Sequence, residues 1–248
     1  MSNGKIKILV IGGTGATGKL LVDQILTRGH DVKIAVRDAS KLPKEIRNHP
    51  NISIIFKAVL DMSYKDLQEL TEDCDAIASC LGHTISLGGI FCKPRRLVKD
   101  SVRRLCEVVQ NNNSEKTVKF VLMNSTGCKN LDLVEKTSLA QRLVLAILRL
   151  LLPPHVDNEQ AGNYLRTNIG ENNPAIEWVA VRPDGLIDKS VISPYEIFIS
   201  PNRSAIFDAG QTSRINVAHF MADLMMDSDI WSKWKGKMPV IYNVGSDG

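Results

Sequence analysis

Residues Lys5 to Gly18 read K-I-K-I-L-V-I-G-G-T-G-A-T-G, and the organisation of the chain can be worked out from this stretch. The apolar run that ends at Ile11 predicts a strand buried on both faces, as in a parallel sheet. A glycine-rich turn follows, and the next residues repeat apolar side chains at helical spacing. A strand, a tight turn and a helix N-terminus together offer free backbone N–H groups to a pyrophosphate. We therefore expect nucleotide binding here, rather than a turn that only connects two elements.

The predicted helix ends near Gly29, and a second strand at Val32–Val36 completes a β-α-β unit. Further strands are predicted at residues 52–56, 76–79, 118–123, 176–181 and 239–244, and helices at 64–70, from Pro94, at 157–169 and at 217–226. This alternation predicts an α/β fold, a doubly wound and mostly parallel Rossmann sheet forming one domain over residues 1–248. We expect residues 186–213 to form a small C-terminal cap facing the substrate, with hairpin-like strands at 195–200 and 204–207.

The composition sets bounds on function. The chain has 248 residues and a formal net charge of +4, which is too mild to indicate binding to nucleic acid. The first four residues lead directly into the first strand, so we expect no signal peptide, and no apolar segment reaches the length of a membrane span. Five cysteines without a C-x-x-C pair predict reduced thiols in the cytoplasm and no metal site.

Arg37 stands at the end of the second strand, where dinucleotide folds meet the adenine ribose. A basic side chain there pairs with a 2′-phosphate, whereas an acidic one binds the 2′-hydroxyl. Lys41 adds a second cation nearby, although the adjacent Asp38 complicates the choice. The alternative is a surface arginine with no ligand. The pattern favours NADPH over NADH.

Small or polar residues follow two of the central strands. Cys80, Leu81 and Gly82 end the fourth strand, which suits a backbone that lies against a cofactor. Ser125 and Thr126 follow the fifth strand, at the sheet edge where ligands of open α/β sheets bind. Their hydroxyls point to substrate contact, with Ser125 as the catalytic candidate, or else they satisfy turn backbone.

The next candidates are charged. His83 is a loop histidine or a catalytic acid. Lys93, Arg95 and Arg96 surround the predicted start of a helix at Pro94, in its first turn, where cations oppose the helix dipole. Their position beside the expected crevice indicates an anion-binding role, and the alternative is a solvated basic face.

The segment Leu139–Leu152 is apolar almost all round, which is unusual for a surface helix. It could be a core helix, a lid, a subunit contact or a membrane-surface element. Burial in the core or against another subunit is the favoured interpretation. Such a surface could make a homo-oligomer or bind a protein partner.

Four motifs carry a resemblance to a known family: V-I-G-G-T-G-A-T-G, V-K-I-A-V-R-D-A-S-K-L-P, N-S-T-G and W-V-A-V-R-P. The chain resembles atypical short-chain dehydrogenases/reductases with an NAD(P)H-binding Rossmann domain, such as proteins of the biliverdin-IXβ/flavin reductase type. The resemblance places the glycine turn at the pyrophosphate, Thr14 and Arg37 at the 2′-phosphate, residues 80–82 along the nicotinamide ribose and Pro183 at the carboxamide. The turn residues concerned are Gly12, Gly13, Thr14, Gly15, Ala16, Thr17 and Gly18.

The chain also departs from this family. Ser125 matches the serine of the Ser-Tyr-Lys catalytic set, but no Y-x-x-x-K occurs in the sequence. Asn163 stands where relatives carry lysine, and Ala58 stands where an aspartate usually faces adenine. The absent pair puts the standard proton relay in doubt and disfavours sugar-nucleotide epimerisation or dehydration.

These observations predict an NADPH-dependent reductase of a small acceptor such as a flavin, a quinone or a conjugated carbonyl. Hydride transfer needs no protein nucleophile, because the cofactor supplies that chemistry. His83, Arg95, Arg96 and Thr126 are the expected substrate-binding residues. The alternative is a non-catalytic NADP(H)-binding redox sensor or scaffold that regulates a partner protein.

Overall fold

The computed structural model describes residues 4–83, 94–112, 116–135 and 138–245. Its strands are β1 (Lys7–Ile11), β2 (Asp31–Ala35), β3 (Ile52–Ile55), β4 (Ala76–Ser79), β5 (Val118–Met123), β6 (Ile176–Pro183), β7 (Gly185–Ile187), β8 (Tyr195–Phe198), β9 (Gln211–Ser213) and β10 (Val240–Asn243). The helices are α1 (Ala16–Thr27), α2 (Lys44–Arg47), α3 (Tyr64–Thr71), α4 (Leu97–Asn111), α5 (Leu139–Leu151), α6 (Pro153–Tyr164), α7 (Arg214–Met226) and α8 (Ser228–Trp234). A 3₁₀ turn lies at Val59–Asp61, and a π-helical turn at Leu165–Ile169 continues α6.

Eight strands form one sheet in the order β3-β2-β1-β4-β5-β6-β10-β8. All neighbours are parallel except β8, which runs antiparallel to β10 at one edge. The predicted doubly wound Rossmann sheet is confirmed. The strand order reverses between β1 and β4, and this switch point opens a crevice outside the carboxyl ends of the two strands.

Alternate side chains of the strands fill two apolar layers, one on each face of the sheet. Ile8 and Val10 of β1 pack into the layer that α1 and α7 cover. Leu9 and Ile11 face the opposite layer, which α4 and α6 cover. All four side chains are fully buried, as expected for a strand in the middle of a parallel sheet.

The helix predicted from Pro94 begins instead at Leu97. Arg95 and Arg96 therefore lie in the preceding turn and not in the first helical turn, and Lys93 lies outside the described residues. Asp157 of α6 accepts hydrogen bonds from the N–H groups of Val98 and Lys99. A residue distant in sequence thus caps this helix, and no local pattern marks its start.

The hairpin-like strand predicted at 204–207 is also absent from the structure. The Ser204 hydroxyl accepts hydrogen bonds from the N–H groups of Ile206 and Phe207, and Asp208 N donates to Ser204 O. These bonds close a turn, so the N–H groups are not available to a strand partner. The preceding segment does contain a strand, β8, which joins the edge of the main sheet.

Helix α5 presents most of its apolar side chains to solvent. Leu139, Leu143 and Leu150 are 82%, 64% and 83% exposed, whereas Leu145 is buried. The expectation of burial in the core is therefore wrong for this helix. The chain changes direction at Pro153, and α6 packs against one side of α5 and leaves the rest exposed. In the described part of the chain no single helix is long and apolar enough to cross a bilayer. Taken together, the helical segments 139–151 and 153–169 have the length and composition of a membrane span, but they are bent by 105° relative to each other.

Candidate active site

A cavity of about 590 Å³ lies at the carboxyl ends of β1 and β4. Most of the residues expected at a cofactor site line it. They are Gly12, Thr14, Gly15, Ala16 and Thr17 from the glycine turn, Arg37 and Lys41 after β2, and Cys80, Leu81, Gly82 and His83 after β4. The rest of the wall consists of Ile11, Ala35, Val36, Ala58, Val59, Leu60, Asp61, Pro94, Leu97, Ser101, Met123, Leu186 and Arg214.

The glycine turn is packed so closely that side chains are excluded. Gly12 has a φ of +76°, and a Cβ there would lie 2.6 Å from the carbonyl of Cys80. A Cβ on Gly18 would lie 2.1 Å from the carbonyl oxygen of Gly12. Since no side chain in the described structure caps α1, its first N–H groups remain available to a ligand. This turn fits the pyrophosphate of a dinucleotide.

Two cations line the cavity where the adenine ribose is expected, namely the exposed Arg37 and Lys41. The neighbouring Asp38 accepts hydrogen bonds from the backbone and the hydroxyl of Ser40, at 2.8 and 2.5 Å. Those bonds lower the pKa of Asp38 and keep its carboxylate within its own turn. Asp38 is not part of the described cavity wall, so the charged side chains that the loop after β2 contributes to this wall are Arg37 and Lys41.

Asp61 is a wall residue that sequence reasoning did not identify. It lies three residues after Ala58 in the 3₁₀ turn, and both line the cavity. Arg104 of α4 donates to the carbonyl oxygens of Val59 and Leu60 at 2.9 and 2.7 Å, which holds this turn against α4. Position 58 lacks the aspartate that the family resemblance implies, but Asp61 places a carboxylate on the turn that follows it.

His83 is the first residue beyond the small residues that end β4. Its Nε2 lies 2.8 Å from Oδ2 of Asp157. Asp157 is only 2% exposed and also accepts the N–H groups of Val98 and Lys99, at 2.8 and 3.0 Å. The thiol of the nearby Cys80 is chemically unreactive, because burial raises its pKa to about 12. Sequence reasoning missed Asp157, because 74 residues separate it from His83 and no motif connects them.

Ser125 and Thr126 do not belong to the described wall of this cavity, in which Met123 represents the end of β5. The Thr126 hydroxyl donates to Oδ1 of Asp184 at 3.0 Å. Asp184 also accepts the N–H groups of Gly185 and Gly210 at 3.0 Å, while burial raises the pKa of its carboxyl. Ser125 is half-buried, and its Oγ lies 3.9 Å from the sulfur of Cys128. The substrate contacts expected of both hydroxyls stay predictions.

The other candidates lie around the cavity. Gly13 packs against Ile34, since a Cβ built on Gly13 would lie 3.1 Å from Cγ2 of Ile34. Pro183 is buried, and its carbonyl oxygen accepts a hydrogen bond from the N–H group of Thr126. Arg95 and Arg96 are exposed, between two residues of the wall. Asn163, at the position where the family resemblance implies a lysine, accepts a 3.4 Å hydrogen bond from Arg166. The structure thus brings most of the residues predicted to bind a cofactor to one cavity, and the cationic pair lies at its margin.

Comparison with known proteins agrees with this arrangement. A protein-family model described as NAD(P)H-binding matches residues 12–228. An uncharacterised chloroplastic protein of Arabidopsis thaliana is 29% identical over 182 residues, which are 73% of this chain. The match covers 59% of the plant protein, so the chain corresponds to part of that relative's length.

Two solved structures illustrate the fold. A short-chain dehydrogenase/reductase from Veillonella parvula, in complex with NADP, superposes with a TM-score of 0.71 at 15% identity, covering 98% of this chain and 97% of the other. A proposed NADH-flavin reductase from Streptococcus pneumoniae superposes with a TM-score of 0.61 at 19% identity, covering 96% and 99%. At these identities the likeness concerns the fold alone.

Proposed function

We propose that this chain, which belongs to the NAD(P)H-binding family and has the short-chain dehydrogenase/reductase fold, is an NADPH-dependent reductase of a small acceptor. The acceptor would be a flavin, a quinone or a conjugated carbonyl. The observation that supports NADPH is that Arg37 and Lys41 line the same cavity as the glycine turn, with Asp38 bound in its own loop.

Each part of the cavity has a role in this proposal. The nicotinamide cofactor supplies a hydride when bound. The glycine turn and the N-terminus of α1 would bind its pyrophosphate, and Arg37 with Thr14 would bind the 2′-phosphate. Backbone at residues 80–82 and at Pro183 would face the nicotinamide half. Ser125 would orient the acceptor, with Arg95 and Arg96 attracting an anionic one.

The test combines cofactor binding with turnover. The purified protein is titrated with NADPH and with NADH, and NADPH oxidation is then followed with FMN, a quinone and a conjugated aldehyde. The proposal expects tighter binding of NADPH and steady oxidation with at least one acceptor. Equal affinities would contradict the cofactor assignment, and binding without any turnover would contradict the reductase.

A second candidate, an NADP(H)-binding sensor or scaffold, is favoured by the exposed leucines of α5. A monomeric soluble surface rarely presents a contiguous apolar patch unless it contacts a partner. In this case a second copy or another protein would cover the helix. Tight NADPH binding without turnover, together with a change of oligomeric state on binding, would favour the sensor over the reductase.

The cytoplasm is the proposed compartment. Cys74, Cys80, Cys106 and Cys128 are free thiols in the described structure, as in reducing compartments. The name of the Arabidopsis relative places that protein in the chloroplast. Imaging a fluorescent fusion of the full-length protein distinguishes a cytoplasmic from an organellar location.

A further inference from the structure

We propose that His83, held in place by Asp157, is the proton donor of this cavity, and that the acceptor is accordingly a carbonyl compound. This inference rests on the proposed reductase function and narrows its substrate class. The Tyr-Lys pair that normally supplies the proton is missing from the sequence. A histidine in the cavity wall that is hydrogen-bonded to a carboxylate can supply this proton instead.

Three hydrogen bonds define the environment of Asp157. They come from the N–H groups of Val98 and Lys99 at the start of α4, and from Nε2 of His83. Two of these donors are backbone N–H groups at the N-terminus of α4, where the positive end of the helix dipole lies close to the buried carboxylate. A carboxylate bound to one ring nitrogen fixes the orientation and the tautomer of a histidine. Nε2 therefore carries the proton that faces Asp157.

The second ring nitrogen is then available for chemistry. His83 lines the cavity, its side chain is 6% exposed, and Nδ1 has no hydrogen-bond partner among the described residues. It directly follows Gly82, at the end of β4 where the nicotinamide half is proposed to lie. Histidine is the side chain whose ordinary charge change falls near neutral pH, and His83 is the histidine within the described wall.

Reduction of a carbonyl group to an alcohol needs one hydride and one proton. The carbonyl carbon gains a hydride from the reduced cofactor, and the electron pair of the C=O π bond moves to oxygen. That oxygen takes the Nδ1 proton of the His83 imidazolium, which gives an alcohol, the oxidised cofactor and a neutral imidazole. A proton taken up from the bulk solvent then restores the imidazolium, so each turnover consumes one hydride and one solvent proton. A free flavin has less need of such a donor, because its reduced form is stable as an anion.

The closing experiment compares His83→Gln with His219→Gln. His219 also lies near a carboxylate, 3.1 Å from Asp223, but it is not part of the cavity wall. With cinnamaldehyde, His83→Gln is expected to lower kcat about 100-fold, as is typical for loss of a general acid. With FMN the change is less than about threefold, the Kd for NADPH stays within about threefold, and His219→Gln resembles the wild type throughout.

Two further readouts separate catalysis from structure. The wild-type kcat for cinnamaldehyde is expected to fall with rising pH, as for a step that needs a general acid, and the His83→Gln variant is expected to lack that dependence. Nitrogen NMR of the protein without cofactor is expected to show neutral His83 with its proton on Nε2, and Asp157→Asn is expected to weaken that preference. His83→Gln keeps the test independent of the α4 cap, which Asp157→Asn perturbs.

The possible failures are distinguishable. Three outcomes would overturn the inference but not the reductase. They are an equal loss of activity with cinnamaldehyde and FMN in His83→Gln, reduction of cinnamaldehyde by that variant as fast as by the wild type, and reduction of FMN alone by the wild type. NADPH binding without oxidation by any acceptor would overturn the reductase, and the proton donor with it.

Discussion

At the scale of single residues, the glycines of the phosphate turn are the positions where the backbone leaves least choice. Gly12 needs a positive φ, and Gly18 must let α1 approach the carbonyl of Gly12. Both requirements follow from a strand that turns at once into a helix, so a glycine pattern in the sequence is enough to predict them. The partner of His83 could not be predicted in this way. The sequence does not show which of the several carboxylates in the chain lies beside His83 in the folded protein.

Gly18→Ala is expected to lower the free energy of unfolding by about 3 kcal/mol or more, since backbone atoms on both sides of the clash cannot move aside. Gly82→Ala is the matched control for folding, because a Cβ there has no atom within 4 Å among the neighbours considered. Its unfolding free energy should change by less than about 1 kcal/mol. Urea denaturation of both variants measures the difference, and similar losses would argue against the close approach at Gly18.

Arg37→Ala is expected to weaken NADPH binding by roughly 1.5–3 kcal/mol, the range for a charge-assisted hydrogen bond, while NADH binding changes little. Lys44→Ala serves as the control, because this exposed lysine of α2 is not part of the described cavity wall. Calorimetric titration with both cofactors provides the measurement. If Arg37→Ala weakened both cofactors equally, the 2′-phosphate assignment would be refuted.

At the scale of elements, the corner between α5 and α6 joins an exposed helix to the body of the protein. Arg149 of α5 donates to both carboxylate oxygens of Glu159 of α6, at 2.8 to 3.1 Å. Burial opposes ionisation of Glu159, yet the His155 ring, 3.5 Å away, and the Arg149 guanidinium lower the pKa of that carboxyl to about 2. The sequence predicted both helices here, but not the ion pair that joins them.

This pair predicts an acid-dependent loss of stability. Because the folded-state pKa of Glu159 lies below its ordinary value, the unfolded chain binds the proton first as pH falls. The stabilisation is complete above about pH 5 and is lost towards pH 2, to a total of about 3 kcal/mol at most. Glu159→Gln should therefore flatten the dependence of unfolding free energy on pH in this interval.

Glu107→Gln is the control for that experiment. Glu107 pairs with Arg103 one turn away on α4, but the carboxylate is 44% exposed, so the pair should contribute little. Denaturant unfolding at several pH values compares the two variants with the wild type. Identical pH profiles for Glu159→Gln and the wild type would show that the corner does not depend on this ion pair.

At the scale of the whole molecule, the cavity lies where two halves of the sheet diverge, so a bound cofactor would contact both. Residues that follow β1 and β2 line this cavity together with residues that follow β4. A ligand that binds only the folded state stabilises it by mass action. The cofactor should therefore report on folding as well as on catalysis.

NADPH at about 100 times its Kd should raise the free energy of unfolding by about 2.7 kcal/mol. For a chain of this size the midpoint of thermal unfolding would rise by roughly 5–10 °C. The same concentration of NADH should produce a smaller rise, since it lacks the group that Arg37 and Lys41 are proposed to bind. Thermal scans with both cofactors test this, and an equal or larger rise with NADH would contradict it.

The strand, glycine turn and helix from Lys7 to Thr27, and the alternation that builds the sheet, follow from the sequence alone. They depend on burial periodicity and on backbone conformation, both of which are local properties of the chain. The start of α4, the exposure of α5 and the contact between His83 and Asp157 depend on how helices pack on the sheet. Such contacts join residues that are distant along the chain, so their geometry exists only once the layers have assembled.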